Sequence, residues 1–426
     1  MKIKPAAYLR GTVKLPGDKS ISHRAAILAA IAEGQTRIEN FSTAEDCRTT
    51  LLCLERLGVS IRQDGDTVFI EGVGKGGLQK PEKPLDCGNS GTTMRLLAGI
   101  LVAQPFDSVL IGDESLSKRP MARIVSPLSQ MGAEIEAENA HAPICIRGGK
   151  TLRGIHYEAS VASAQVKSCV LFAGLFADAK TTVREHPPTR DHTERMLRWF
   201  GVDVDVDIAG TSVRRSHLTG TAIDIPCDLS AASFFIVAAA CLKDSSIVIP
   251  NVGLNPTRTA LLKVMEDLGT NFRFAIEKEM SNETVGSIDV RGDIGRRNSK
   301  LCLRGDAIPK LIDEIPVLAV LGTQIDGGIE IRDAGELRHK ESDRIAAIID
   351  DLSRMNAAIE EFPDGFRVER SDLKGAVVDS FGDHRIAMAM AVACLLAKGE
   401  TEIKDAECVD VSFPGFFETL EEITFR

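Results

Sequence analysis

"LPGDKSISHRAAILAAI", residues 15–31, sets a Pro-Gly turn and then Asp18, Lys19, Ser20, Ser22, His23 and Arg24 ahead of an unbroken run of small apolar residues. A helix that is apolar nearly all round belongs inside a core, with sheets covering it. A single cap residue is enough to start such a helix. Two cations and two hydroxyls in the first turns exceed that need. Helix N-termini carry partial positive charge and unpaired N–H groups, so this start reads as a place that receives an anion.

The same order of elements recurs. "IPCDLSAASFFIVAAACLKDSSIVIPNVGLN" (225–255) and "FGDHRIAMAMAVACLLAKGETEIKDAECVDVSFP" (381–414) each run turn, polar helix start, small-residue helix and short alternating strand. Further copies begin at Gly88 ("GNSGTTMRLL"), Ala162 ("ASAQVKSCVL") and Ile308 ("IPKLIDEIPVLAV"). A second, one-sided helix ending in a turn follows most strands, as in "TTLLCLERLGVSI" (49–61) and "TERMLRWFGVDV" (193–204). The period is roughly 70 residues, longer than solenoid or propeller units. Six βαβαββ-like units predict an α/β (α+β) protein whose helices are wrapped inside sheets. Several starts are rich in anion-binding groups: Lys19, Ser20 and Arg24; Asn89, Ser90, Gly91, Thr92 and Arg95; Ser163, Gln165 and Lys167; Asp383, His384 and Arg385. One such residue alone is a helix cap. Enriched together, these starts predict a shared site for phosphates and carboxylates.

Composition narrows the function. The chain of 426 residues carries 51 Lys and Arg against 61 Asp and Glu, a net charge of −10. That excludes a long nucleic-acid surface, and aromatics at 5% argue against base-stacking platforms. Ten cysteines without a C-x-x-C pair, most of them in apolar runs, suit a reducing compartment. No stretch reads as a signal peptide or a membrane span. The expectation is a soluble cytoplasmic protein.

Seven ordered stretches carry a resemblance: "LPGDKSISHR" (15–24), "GNSGTTMRLL" (88–97), "SLSKRPM" (115–121), "SAQVKS" (163–168), "DEIPVLAV" (313–320), "ELRHKESDRI" (336–345) and "FGDHRIAMA" (381–389). They resemble the signature stretches of the 5-enolpyruvylshikimate-3-phosphate synthases. "SAQVKS", "RDHTE" (190–194) and "NPTR" (255–258) resemble that family's second class, although Gly91 keeps the glycine of glyphosate-sensitive forms. The resemblance implies the two-lobed enolpyruvyl transferase fold, three βαβαββ repeats per lobe, with the substrates in the cleft between lobes. Crossings near residues 15–20 and 225–232 would divide the chain into 1–17 plus 230–426 and 18–229. It implies a monomeric transferase that moves the enolpyruvyl group of phosphoenolpyruvate to the 5-hydroxyl of shikimate 3-phosphate. The reaction is an addition followed by an elimination of phosphate, and it needs no metal or redox cofactor.

Such chemistry needs carboxylates for proton transfer and cations for two phosphates and two carboxylates. The resemblance assigns proton acceptance and the shikimate hydroxyls to Asp313, proton delivery at the methylene carbon to Glu341, and catalytic contacts to Lys19 and Lys340. Arg344 and Arg385 would grip the phosphoenolpyruvate carboxylate, for which a planar fork suits better than a lysine. Lys19, Arg119, Gln165 and the backbone at Gly91 would surround its phosphate. Ser20, Arg24, Ser163, Ala164, Gln165 and Arg190 would join Lys19, Asp313 and Lys340 around shikimate 3-phosphate, with an ion pair to Asp191 or Glu194 as the other reading of Arg190. Two departures stand out: Val411 replaces a phosphate-contacting lysine, and Ala164 leaves only a backbone donor where some relatives have serine.

Other signals are discounted. "GVGKGG" (72–77) fits a dinucleotide pattern, but "LQKPEKP" after it cannot open a helix. "GGKTL" (148–152) lacks the first glycine of a P-loop, and His186 and His192 have a poor metal spacing. Transfer to a UDP-amino sugar on the same fold would call for Lys-Asn near residue 19 and a loop cysteine, where this chain has Lys19-Ser20 and "DESLSKRP" (113–120). A non-catalytic phosphate-binding repeat protein would leave Asp313 and Glu341 without a purpose.

Overall fold

The computed structural model describes residues 1–294 and 300–426. Six helices open the repeats: α1 (Lys19–Ile31), α2 (Gly91–Leu101), α3 (Ala164–Gly174), α4 (Leu229–Cys241), α5 (Ile315–Gly322) and α6 (His384–Leu396). Their alanine, leucine and valine content lets them be buried on every side. α1 is buried from Ile21 to Ile31 and α4 from Leu229 to Ala240. Five of the six are capped by an acidic or hydroxyl side chain, which satisfies an orphan N–H. Asp18 accepts from Ile21 N at 2.9 Å, Ser90 from Thr93 N at 3.2 Å, and Ser163 from Val166 N at 3.5 Å. Asp228 accepts from Ser230 N at 2.8 Å and Asp383 from Arg385 N at 2.9 Å. The exception, α5, has Pro316 in its first turn, where no donor is lost to the helix.

The chain divides into two compact units. One comprises residues 17–225 with 279–283, and its core is built on α1, α2 and α3. Each of its three sheets repeats one pairing: a leading strand parallel to a second, then two antiparallel strands. In the second sheet these are 85–86, 108–111, 144–147 and 134–137. The third uses 156–158, 181–184, 210–213 and 205–207. The first sheet takes its leading strand, 222–224, from the far end of the unit, to pair with 33–39 in parallel. Residues 279–283, which the sequence reading leaves with the last three repeats, go with this unit instead.

The other unit comprises residues 1–16, 226–278 and 284–426, around α4, α5 and α6. Its first sheet has strand 8–12 parallel to 246–253, followed by 283–291 and 272–280. Residues 424–425 cover the far edge of strand 8–12. The second sheet follows the common pairing with 301–303, 329–331, 365–368 and 359–362. In the last, 377–379 runs parallel to 401–404, and strand 2–3 takes the place of the antiparallel pair.

Close approach explains the glycine of the opening turn. A Cβ on Gly17 would lie 1.8 Å from the carbonyl oxygen of Asn40, so any side chain there would push α1 off its neighbour. The stretch 72–77 ends strand 67–73, and residues 78–84 form no helix.

Candidate active site

In the 17–225 unit the polar starts of α1, α2 and α3 are tied into one hydrogen-bonded array. Lys19 Nζ lies 2.8 Å from Asp46 Oδ2. Arg119, nearly buried, donates from Nη2 to Asn89 Oδ1 at 2.5 Å. Arg95 Nη1 donates to Gln165 Oε1 at 2.7 Å, and Gln165 Nε2 donates to Thr92 Oγ1 at 3.0 Å. That pair joins the first turns of α2 and α3. Gly91 faces the same guanidiniums: a Cβ there would lie 2.7 Å from Arg95 Nη1 and 3.4 Å from Arg119 Nη1.

Arg24 sits deeper than a surface ligand. It donates from Nε to Thr193 Oγ1 at 2.7 Å, from Nη1 to Ser20 O at 2.8 Å and from Nη2 to Ser168 Oγ at 2.8 Å. It therefore fixes the backbone of Ser20 against α3. His23, next to it, is buried with Nδ1 2.6 Å from Thr50 Oγ1. Burial, then the nearby Lys19 and Arg24 cations, push its pKa well below the usual histidine range. Lys167, grouped in the sequence with the residues expected to bind anions, is an internal residue. Its Nζ lies 2.9 Å from Glu185 and 2.8 Å from Glu194, all three side chains being buried. Glu185 also accepts from Thr189 Oγ1 at 2.6 Å, so Lys167 holds the turn that carries Arg190 against the helix that starts at Ala164. Next to Arg190, Asp191 Oδ2 accepts from Arg195 Nε at 2.9 Å.

The other unit gathers Asp313, Lys340, Glu341, Arg344 and Arg385. Asp313 lies two residues before α5, Arg344 opens helix 344–354, and Arg385 lies in the first turn of α6. Arg344 is 1% exposed. Its Nε donates to Asp383 Oδ2 at 2.7 Å and its Nη2 to Glu341 Oε2 at 2.6 Å. Its Nη1 lies 3.7 Å from Asp313 Oδ1 and has no hydrogen-bond partner among the described residues. Burial lowers the pKa of this guanidinium, but the Asp383 and Glu341 carboxylates more than offset that and the net shift is upward. Arg385 approaches Asp313 from a second direction, with Nε 3.4 Å from Oδ1 and Nη1 donating to the backbone oxygen at 3.2 Å. Lys340 keeps 27% of its side chain exposed, with Nζ 3.8 Å from Glu336 Oε1. Burial lowers its pKa despite the opposing pull of Glu336 and Asp313.

The residue that sequence reasoning undervalued is Asp383. Its Oδ1 caps α6 and accepts from Arg344 Nη2 at 3.2 Å, while Oδ2 takes Arg344 Nε and the Ser342 hydroxyl. An acid directly before His-Arg at a helix start reads as a cap, and it is one. Nothing local announces its second task. Val411 ends the short turn of helix at 406–411 and is half-buried. Among the described residues, no group of three or more His, Cys, Asp or Glu side chains could hold a metal ion. No described helix is long and apolar enough to cross a membrane.

Known proteins resemble this chain along its whole length. The sequence model of EPSP synthase (3-phosphoshikimate 1-carboxyvinyltransferase) matches residues 3–420. The 3-phosphoshikimate 1-carboxyvinyltransferase of Brevibacillus brevis is 48% identical over 431 residues, covering 100% of both chains. That of Solibacter usitatus is 49% identical over 425 residues, covering 99% of each. A solved structure of EPSP synthase from Acinetobacter baumannii superposes with a TM-score of 0.87 at 41% identity, covering 100% of this chain and 98% of the other.

Proposed function

The chain belongs to the EPSP synthase family, and from that membership we propose how its residues divide the family's reaction. The protein is a transferase: it moves the enolpyruvyl group of phosphoenolpyruvate to the 5-hydroxyl of shikimate 3-phosphate, in the shikimate pathway. Phosphate leaves as the second step of an addition–elimination.

Asp313 is the proton acceptor. The observation that supports this reading is its carboxylate, whose Oδ1 lies 3.4 Å from Arg385 Nε and 3.7 Å from Arg344 Nη1. A phosphoenolpyruvate carboxylate arriving at those guanidiniums competes with Asp313 for them. Oδ1 is then released to take the proton of the 5-hydroxyl as its oxygen attacks C2 of the enol. The unshared Nη1 edge of Arg344 suits one oxygen of that ligand carboxylate. Glu341, held by Arg344, delivers a proton to the methylene carbon, and Lys340 steadies the negative charge nearby. In the elimination the methyl group returns a proton and the C2–O bond to phosphate breaks.

Lys19, Arg119, Gln165 and the Gly91 backbone take the leaving phosphate. The first turn of α2 adds N–H groups there without adding a charge. Ser20, Ser163, the Ala164 N–H, Gln165 and Arg190 take shikimate 3-phosphate, with Arg24 acting through Ser20. A coupled phosphate-release assay tests the whole reading. Phosphate should appear only with both substrates present, and Asp313→Asn should abolish it. Release from phosphoenolpyruvate alone would overturn the reading.

A further inference from the structure

The start of α4 differs from those of α1, α2, α3 and α6. It has no lysine or arginine of its own, and its polar groups face inward. Asp228 Oδ1 caps the helix and also accepts from Arg258 Nη2 at 3.1 Å. The same Nη2 donates to Ser230 Oγ at 2.7 Å, and the Ser230 hydroxyl donates onward to Glu314 Oε1. Arg258, Ser230 and Glu314 are all nearly fully buried. The backbone of Arg258 is fixed in turn by the "NPTR" stretch. Its N–H donates to Asn255 O at 2.8 Å, while Asn255 Oδ1 accepts from the Thr257 N–H at 2.9 Å and hydroxyl at 2.8 Å.

Glu314 is the residue after Asp313. We propose that Arg258, Ser230 and Glu314 are positioning residues that set Asp313 for proton transfer. The inference rests on the reading of Asp313 as the acceptor. Glu314 N donates to Leu311 O at 2.8 Å and Leu318 N to Glu314 O at 3.0 Å, so the backbone is tied on both sides of this residue. Arg385 holds the Asp313 carbonyl. The Ser230–Glu314 bond is the side-chain anchor that stops this short segment from rotating about those ties. Stability alone would favour an apolar residue at the buried end of α5, since Glu314 Oε2 has no hydrogen-bond partner among the described residues. A polar anchor there fits a demand for one backbone orientation. The demand is steep, because a base displaced by about 1 Å can lose on the order of 100-fold in rate.

The test compares kcat and both KM values for Glu314→Ala, Glu314→Gln and Asp313→Asn, with shikimate 3-phosphate affinity measured by calorimetry. Glu314→Gln keeps an oxygen that accepts from Ser230 and should retain kcat within about threefold. Glu314→Ala should lose about 10–100-fold in kcat with KM and affinity changed less than about threefold. A folded Glu314→Ala protein with kcat within about twofold of the parent overturns the inference, as does an equal loss in the alanine and glutamine variants. If Glu314→Ala does not fold, Ser230→Ala carries the test, with a loss of at least about tenfold expected and a loss under about twofold decisive against it. Turnover surviving in Asp313→Asn would instead bring down the reading of Asp313 itself, and this inference with it.

Discussion

Asp383 Oδ2 accepts a 2.7 Å hydrogen bond from Arg344 Nε, and neither side chain is more than 1% exposed. A guanidinium so deep is tolerable only while its carboxylate partners remain. Removing one partner of a buried pair costs about 3–5 kcal/mol, because the other charge is left without compensation. Asp383→Ala should therefore lower unfolding stability in urea by about 3 kcal/mol, while an equally buried apolar change such as Ile386→Val should cost about 1 kcal/mol. A loss no larger than that of Ile386→Val would mean that Arg344 finds another partner.

Asp313→Ala removes the acceptor but leaves the cations. Turnover should fall by at least about 10³-fold, with substrate affinity changed far less. Steady-state kinetics together with calorimetric titration of shikimate 3-phosphate separate the two effects. Equal losses in binding and turnover would make Asp313 a substrate-holding group.

Gly91→Ala places a methyl group 2.7 Å from Arg95 Nη1, the atom that donates to Gln165. The arginine must swing aside, so KM for phosphoenolpyruvate should rise. Glyphosate is longer than that substrate and should meet the methyl directly. A methyl in a pocket is worth about 1–3 kcal/mol, so the glyphosate inhibition constant should rise at least about tenfold and by more than KM. Parallel inhibition and KM measurements decide this. Equal rises would mean that only the displaced Arg95 matters.

Asp351 is fully buried on helix 344–354, with Oδ1 accepting the Asp379 N–H at 2.9 Å. Burial, opposed by that N–H, raises its pKa from 3.8 to about 7. The native state thus holds a proton that the unfolded chain gives up near pH 4. Stability is fully present below that pH and is lost as pH rises toward 7, at about 1.4 kcal/mol per pH unit. Asp351→Asn does not titrate. Between pH 5 and 8 its stability in urea should gain about 2.6 kcal/mol on the parent, whereas a constant difference would refute a buried, protonated Asp351.

The six buried helix starts are legible in sequence because each is a local pattern within about fifteen positions: a cap, or Pro316 in α5, then a run of small apolar residues. The candidate site residues are legible for the same reason, since most lie in those starts. What escapes is pairing over distance. Arg95 meets Gln165 across 70 positions, and Ser230 meets Glu314 across 84. Lys167 sits in a polar start with the residues expected to bind anions, yet two glutamates on other segments claim it. Side-chain type and period say that a cation is present. Only the packed chain says whether it points at solvent or at a neighbour.

Strand 8–12 leaves the ribosome well ahead of both its neighbours in the sheet. Its parallel partner, 246–253, follows more than two hundred residues later, and its other edge is closed by residues 424–425, where Tyr8 stacks on Phe425 at 4.9 Å. At about 5–20 residues per second, that first strand waits roughly 20–80 s for its last neighbour to be made. In the 17–225 segment the wait is shorter: strand 33–39 gains its parallel partner, 222–224, about 185 residues later, well before residues 424–425 are made. The order of synthesis therefore favours one half maturing while the other still holds an unpaired strand at its leading end. Nascent chains stalled after residue 225 should resist protease in that first half long before the N-terminal strand is protected.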